Sequence, residues 1–200
     1  MYFIRMEKLV CMIPMGDGQT IPQVVLNSIY IQTVPILLMP LTRPIEHFEF
    51  EGMDDVFKKK IRTNRRSITN TRNTIKKLAV EKSPAQKYIM HMDSDVVLTS
   101  NHDAEDMVKF LDSNPNVAVV GLNTKSMTVR KLAAHHVSMA CLLFRKEILD
   151  GYTFHNGKYN RDCNCQMLTN EIRKIVHPDG GFWEIQYLDN RKLYEVDRES

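Results

Sequence analysis

The sequence predicts an α/β fold, with a mostly parallel central sheet flanked by helices in a single compact domain. Three observations predict it. Short, continuous apolar runs recur along the chain, closed by Pro, Gly or Asn, as buried strands are. Segments with apolar residues at helical spacing lie between several of them, and that alternation is the signature of crossover-connected strands. The chain has 200 residues, 43% of them hydrophobic, which is enough for one sizeable core and argues against disorder.

Taken in order, Leu9-Val-Cys-Met-Ile13 is the first buried strand, closed by Pro14 and Gly16. Gln19 to Gln32 follows with Ile21, Val24, Val25, Ser28, Ile29 and Gln32 near helical spacing, and Thr20 with Pro22 resembles a helix start. Pro35 to Pro40 is a second buried strand, and His47 to Phe50 fits a short edge strand. Ile75, Leu78 and Ala79 predict a helix over about 69–80, ended by Ser83-Pro84. Tyr88 to Met92 is the next strand. In the helix expected over 101–112, Ala104, Met107, Val108 and Leu111 line one face, and Asp103, Glu105 and Asp106 suit the positive end of its dipole. Asn114-Pro115-Asn116 turns the chain into a strand over 117–122. A further apolar run spans 137–144, followed by a short helix at 145–149. Residues 152–159 form a Gly/Asn-rich loop. A helix is expected over 162–176 with Met167, Leu168, Ile172 and Ile175 inward, and a last strand over 182–188.

The net charge of +3 is only mildly basic, which does not mark a nucleic-acid binder but suits an anionic substrate. The four cysteines form no Cys-x-x-Cys pair. Cys11 and Cys141 sit in apolar runs as small core residues, and Cys163-Asn-Cys165 lacks a matching pair spaced for zinc. No apolar run reaches the roughly 18 residues needed to span a bilayer, and Arg5, Glu7 and Lys8 are foreign to a signal peptide. The expectation is a soluble, intracellular (cytoplasmic) protein, with peripheral membrane contact left open.

The most informative motif is Asp93-Ser94-Asp95, at the end of the apolar run from Tyr88 to Met92. On an extended strand, residues i and i+2 point to one face, so both carboxylates would look into one site. Hard oxygen ligands suit Mg²⁺ or Mn²⁺, which are commonly held by one or two carboxylates together with substrate phosphates. The alternative is a polar turn after a strand. His91 shares the face of Asp93 and also reads as an ordinary sheet residue. Ligands of open α/β sheets gather beyond the carboxyl ends of the strands, and the ends of 9–13 and 88–92 are such places.

The order of segments resembles the nucleotide-sugar-dependent glycosyltransferases of GT-A (Rossmann-like) fold, in particular the inverting family 2. The resemblance rests on Ile13-Pro14, Leu26-Asn-Ser28-Ile29 with Gln32-Thr33, Arg72-Asn73 about twenty residues before Asp93-Ser94-Asp95, Val117 to Gly121, Cys141 to Leu149, and Arg161-Asp162 ahead of a helix and Gly180. It covers about residues 9–188, and the small size is similar to minimal, virus-encoded members.

The resemblance implies a nucleotide-sugar-binding half over about 9–100 and an acceptor-binding half over about 101–190. It also implies Asp95 and Asp93 as ligands of Mn²⁺ or Mg²⁺, with Asp93 near the ribose or metal-bound water. Pro14, Met15, Asp17 and Arg72 would border the nucleotide, and Asp162 would be the base that takes a proton from the acceptor hydroxyl. The donor would be a nucleotide-diphosphate sugar; the acceptor, whether glycan, lipid or protein, is not named by the sequence. Plain alternatives stand beside these roles: a turn at Gly16-Asp17-Gly18 and a helix N-cap at Asp162. Asp150 and Asp179 are lesser candidates for the base. The chain departs from the family at Pro40-Leu-Thr-Arg-Pro44, where an Asp-rich turn is usual, at Arg161, where an acid is common, and in lacking a Gln-x-x-Arg-Trp motif.

Between 58 and 77, Lys58, Lys59, Lys60, Arg62, Arg65, Arg66, Arg72, Lys76 and Lys77 occur with no acid among them. They read as a solvated face, as phosphate-steering groups, or as an attraction to anionic lipid. A nucleic-acid-binding module would use this segment, but it has no aromatics on which bases could stack, so no nucleic acid is expected. A nucleotidyltransferase on a related fold would carry Arg and Lys in the loop after the first strand, and Met15 to Thr20 has neither. His135-His136 are adjacent and would face opposite ways on a strand, and Trp183 reads as core.

Overall fold

The computed structural model describes residues 8–15, 20–41, 67–124, 138–154 and 164–195. Seven strands and five helices occur among them. The strands are β1 (Leu9–Pro14), β2 (Ile36–Leu41), β3 (Tyr88–Met92), β4 (Val96–Val97), β5 (Val117–Thr124), β6 (Cys141–Arg145) and β7 (Glu184–Glu195). The helices are α1 (Gln23–Tyr30), α2 (Ser67–Lys82), α3 (Asp103–Ser113), α4 (Lys146–Gly151) and α5 (Asn164–Ile172). The expectations at 47–50, Asp17, Arg65, Arg66, His135-His136, Arg161, Asp162 and Cys163 lie outside the described residues.

The strands form one sheet in the order β2-β1-β3-β6-β5-β7-β4. Helices flank a central sheet, as expected, but the sheet is mixed. β1 runs parallel to β2 and β3, and β5 parallel to β7, whereas β6 is antiparallel to both β3 and β5, and β4 to β7. A buried apolar run reads alike in either direction, so its sequence does not reveal that β6 starts at the edge where β5 ends.

The central strands are buried on both faces, and successive residues along them enter opposite layers of the core. Leu9, Cys11, Ile13, Met90 and Met92 pack with Val25 and Ile29 of α1 and Ala104, Met107 and Leu111 of α3. Val10, Met12, Ile89, Leu142 and Phe144 pack on the other side with Ile75 and Ala79 of α2, Ile148 and Leu149 of α4, and Leu168 and Ile172 of α5. The last helix ends at Ile172 and not at the expected 176, and Ile175, expected to face inward, is exposed. The chain then makes a tight turn in which Gly180 and Gly181 take positive φ (93° and 75°), and Val176 bridges Phe182. Trp183 is core, stacked edge-on against His177 at 4.3 Å. Cys11 and Cys141 are buried free thiols. No helix among the described residues is long and apolar enough to cross a membrane.

Candidate active site

β3 stops at Met92. The Asp93 N–H donates to the Ala140 carbonyl (2.9 Å), extending the β3–β6 ladder by one bond. The Val96 N–H then donates to the Asp93 carbonyl (3.3 Å), so residues 93–96 form a hydrogen-bonded turn. The expectation of an extended Asp-x-Asp, with both side chains on one face by strand alternation, is corrected here: the backbone turns between the two acids. Ser94, at the turn's centre, is buried, while Asp93 and Asp95 are half-exposed. Val96 and Val97 then pair with β7, a two-residue strand too short to show periodicity in the sequence.

The turn lies where several strands converge. β1 pairs with β3 through Met12 and His91, and two further steps in that register bring Pro14 level with Asp93. Pro14 is opposite Leu41, and the Met15 N–H donates to the Leu41 carbonyl (2.8 Å). The Met15 side chain is fully buried in the core layer beneath α1, so it offers a neighbouring ligand only its backbone.

Arg72 projects from α2 to this edge. Its Nη2 lies 3.3 Å from Oδ1 of Asp93, and the arginine side chain is 9% exposed against 29% for the aspartate. Below Asp93 on the same face, His91 is fully buried with no well-formed hydrogen bond to either ring nitrogen. Burial, and secondarily the charge of Arg72, pull its imidazole down to about 3, so the ring is neutral. The Phe154 ring stands 6.3 Å from it, and Tyr152 meets Phe154 edge-on at 5.1 Å.

The segment after the turn is braced from α1 and from Gln32 just past its end. Ser28 Oγ accepts the Leu98 N–H (3.2 Å). Gln32 Nε2 donates to the Ser100 carbonyl (2.7 Å), and its Oε1 accepts the Ala104 N–H (3.1 Å). Asp103 Oδ2 accepts the Thr99 and Ser100 N–H groups, both at 2.8 Å.

Among the described residues no group of three or more His, Cys, Asp or Glu could enclose a metal ion. What this edge offers is two half-exposed carboxylates, one of them steadied by arginine. That donor set fits a hard divalent cation that completes its shell with water and substrate phosphate, and it does not fit a closed structural site.

Arg72, Asp93, Asp95, Pro14 and Met15 are thus brought to one edge of the sheet, or level with it by register. Sequence reading did not find the hold of α2 on residues 150–154: Asn73 bonds Phe154, and Lys76 bonds Asp150 and Tyr152. The sequence marked Asn73 only as part of the Arg72-Asn73 resemblance and Lys76 only as one of a run of basic residues.

This architecture is the GT-A fold of glycosyltransferases. The mannosyltransferase PcManGT from Pyrobaculum calidifontis, solved with GDP-Man and Mn²⁺, matches with a TM-score of 0.62 at 14% identity, over 95% of this chain and 57% of its own. S. aureus TarS 1-349 matches at 0.63 and 13% identity, over 95% and 60%, and has also been solved with UDP-GlcNAc. A197 from STIV matches at 0.50 and 10% identity, over 95% and 86%. The chain therefore spans 57% and 60% of the first two structures. Identities this low show a shared fold. No protein-family model and no curated protein matches the sequence.

Proposed function

We propose that this chain transfers a sugar from a nucleoside-diphosphate sugar to an acceptor hydroxyl, with inversion at the anomeric carbon. The observation that carries the reading is the Arg72–Asp93 pair, set in the turn 93–96 at the edge where β1 and β3 end, on a glycosyltransferase fold. The fold neighbours solved with GDP-Man and Mn²⁺ or with UDP-GlcNAc support a nucleotide-sugar donor.

In this reading residues 9–100 bind the donor and residues 101–190 the acceptor. Asp95, with Asp93 beside it, holds Mn²⁺ or Mg²⁺. When bound, that ion supplies positive charge against the departing diphosphate. Arg72 orients the Asp93 carboxylate and adds a second fixed charge at the same edge. The ends of β1 and β2, with the backbone of Pro14 and Met15 and with Asp17 beyond them, border the nucleotide. Asp162 takes the acceptor hydroxyl's proton as its oxygen bonds to the anomeric carbon, and the sugar–phosphate bond breaks with release of the nucleoside diphosphate.

Calorimetric titration of UDP, GDP, dTDP and CDP, with and without Mn²⁺, tests the reading on wild type and Asp95→Asn. One diphosphate is expected to bind, at least tenfold tighter with Mn²⁺ (about 1.4 kcal/mol), and the substitution should remove the Mn²⁺ effect without lowering the melting temperature. Folded wild type that binds none of the four would sink the assignment.

A further inference from the structure

Consecutive residues of α2 hold two different parts of the chain. Arg72 reaches Asp93. Asn73, facing the next direction around the helix, pairs with the backbone of Phe154 twice: its Nδ2 donates to the Phe154 carbonyl and its Oδ1 accepts the Phe154 N–H, both at 2.8 Å. One turn further on, Lys76 Nζ donates to the Tyr152 carbonyl (2.7 Å) and the Asp150 carbonyl (3.0 Å). Burial lowers the Lys76 pKa, with the nearby Asp150 charge opposing that shift, so the ammonium is partly withdrawn from water to make these bonds. Most of the basic residues near it in sequence would sit more cheaply on a solvated face.

The segment held in this way is the end of α4 and the residues after it, and 152–154 join no strand among the described residues. The Asn73 amide gives Phe154 both bonds that a neighbouring strand would have supplied. Tyr152 and Phe154 are buried, and Phe154 lies over His91, two residues before Asp93 on the same face. The helix that steadies Asp93 therefore also fixes Phe154, through side chains one residue apart.

We propose that Asn73, assisted by Lys76, is a positioning residue of the transferase site: it sets the distance between the donor-side turn 93–96 and the acceptor-side segment 150–154. The inference rests on the transferase reading above and stands on described residues alone. Productive transfer requires the two halves in register to within a fraction of an ångström, whereas nucleotide binding requires only the donor side.

The test uses the full chain as wild type, Asn73→Ala, Asn73→Asp and Lys76→Met. Three quantities are read: nucleotide Kd with Mn²⁺ by calorimetry, release of GDP from GDP-Man or of UDP from UDP-GlcNAc, and amide exchange at 152–154. The expected result for Asn73→Ala is a Kd within about twofold of wild type, turnover lower by about 100-fold, and faster exchange at 152–154. Asn73→Asp keeps the bond from the Phe154 N–H and loses the other, so its turnover should fall between wild type and Asn73→Ala. Lys76→Met should shift in the same direction by less. Turnover equal to wild type despite faster exchange, exchange unchanged in Asn73→Ala, or Kd and turnover falling together would each overturn the inference and leave the transferase reading standing. Wild type that neither binds nor turns over a nucleotide sugar overturns the reading, and the inference with it.

Discussion

Asp93 and Asp95 are two residues apart, but their surroundings differ. Asp93 has its N–H tied to Ala140 and its carboxylate to Arg72, while Ser94 between the two acids is buried. Arg72 is largely buried and Asp93 is 29% exposed, so the pair is better shielded from water than an ion pair on the open surface. Arg72→Met should lower the unfolding free energy by about 1–3 kcal/mol. A double-mutant cycle with Asp93→Asn, followed by urea unfolding, should return a coupling of at least about 0.5 kcal/mol. A coupling near zero would mean that the two side chains act independently. At this scale Asp93 and Asp95 were singled out in the sequence by their chemistry and Arg72 by a resemblance, and the structure brings Arg72 against Asp93. The hydrogen-bonded turn was not legible, since Asp-Ser-Asp suits an extended strand end and a turn alike.

At the scale of elements, α1 and α2 each do more than cover the sheet. Ser28 on the buried side of α1 and Gln32 just past its end are polar residues at positions where an apolar side chain would otherwise fit, and both bond the chain that follows the turn. Gln32→Ala would leave the Ser100 carbonyl and the Ala104 N–H without those partners. The expected cost is about 1–3 kcal/mol, measured as a fall in the urea midpoint with unchanged slope. Ser28→Ala, which loses one bond to Leu98, should cost less. Were Gln32→Ala as stable as wild type, water would be replacing both bonds, and the brace would not be what holds 98–104 in place. The strands over 9–13 and 88–92 followed from apolar runs and the helices over 69–80 and 101–112 from periodicity, since burial on one or both faces leaves a local pattern. The partners of Gln32 and Asn73 did not, because these bonds span 68, 72 and 81 residues.

For the whole molecule, burial of titratable groups on both sides of the sheet makes stability depend on pH. The Tyr152 phenol is pushed up from its ordinary value, first by burial and then by Glu171; that of Tyr88 is raised first by burial and then by its bond to Asp112. Each stays neutral in the folded chain where it would ionise at about 10 once unfolded. Below pH 10 both states keep the proton and the contribution to stability is full. Above pH 10 the unfolded chain releases protons that the folded chain retains, so stability falls as pH rises. The urea midpoint of wild type should therefore drop between pH 9.5 and 11, and Tyr152→Phe should drop less over the same interval. Parallel curves for the two proteins would show that Tyr152 is not held neutral.

The sequence by itself determined the α/β class and the order of most strands and helices. Those properties are local: side-chain type, spacing and the period of burial are readable within a dozen residues. Only the tertiary structure decided that β6 runs against its neighbours, that residues 93–96 turn, that Arg72 meets Asp93, and that Asn73 and Lys76 hold residues 150–154. All but the turn are pairings between distant segments, whose energy comes from groups that meet only after the sheet has formed; the turn is local, but Asp-Ser-Asp suits an extended strand end equally, so its sequence does not decide between them.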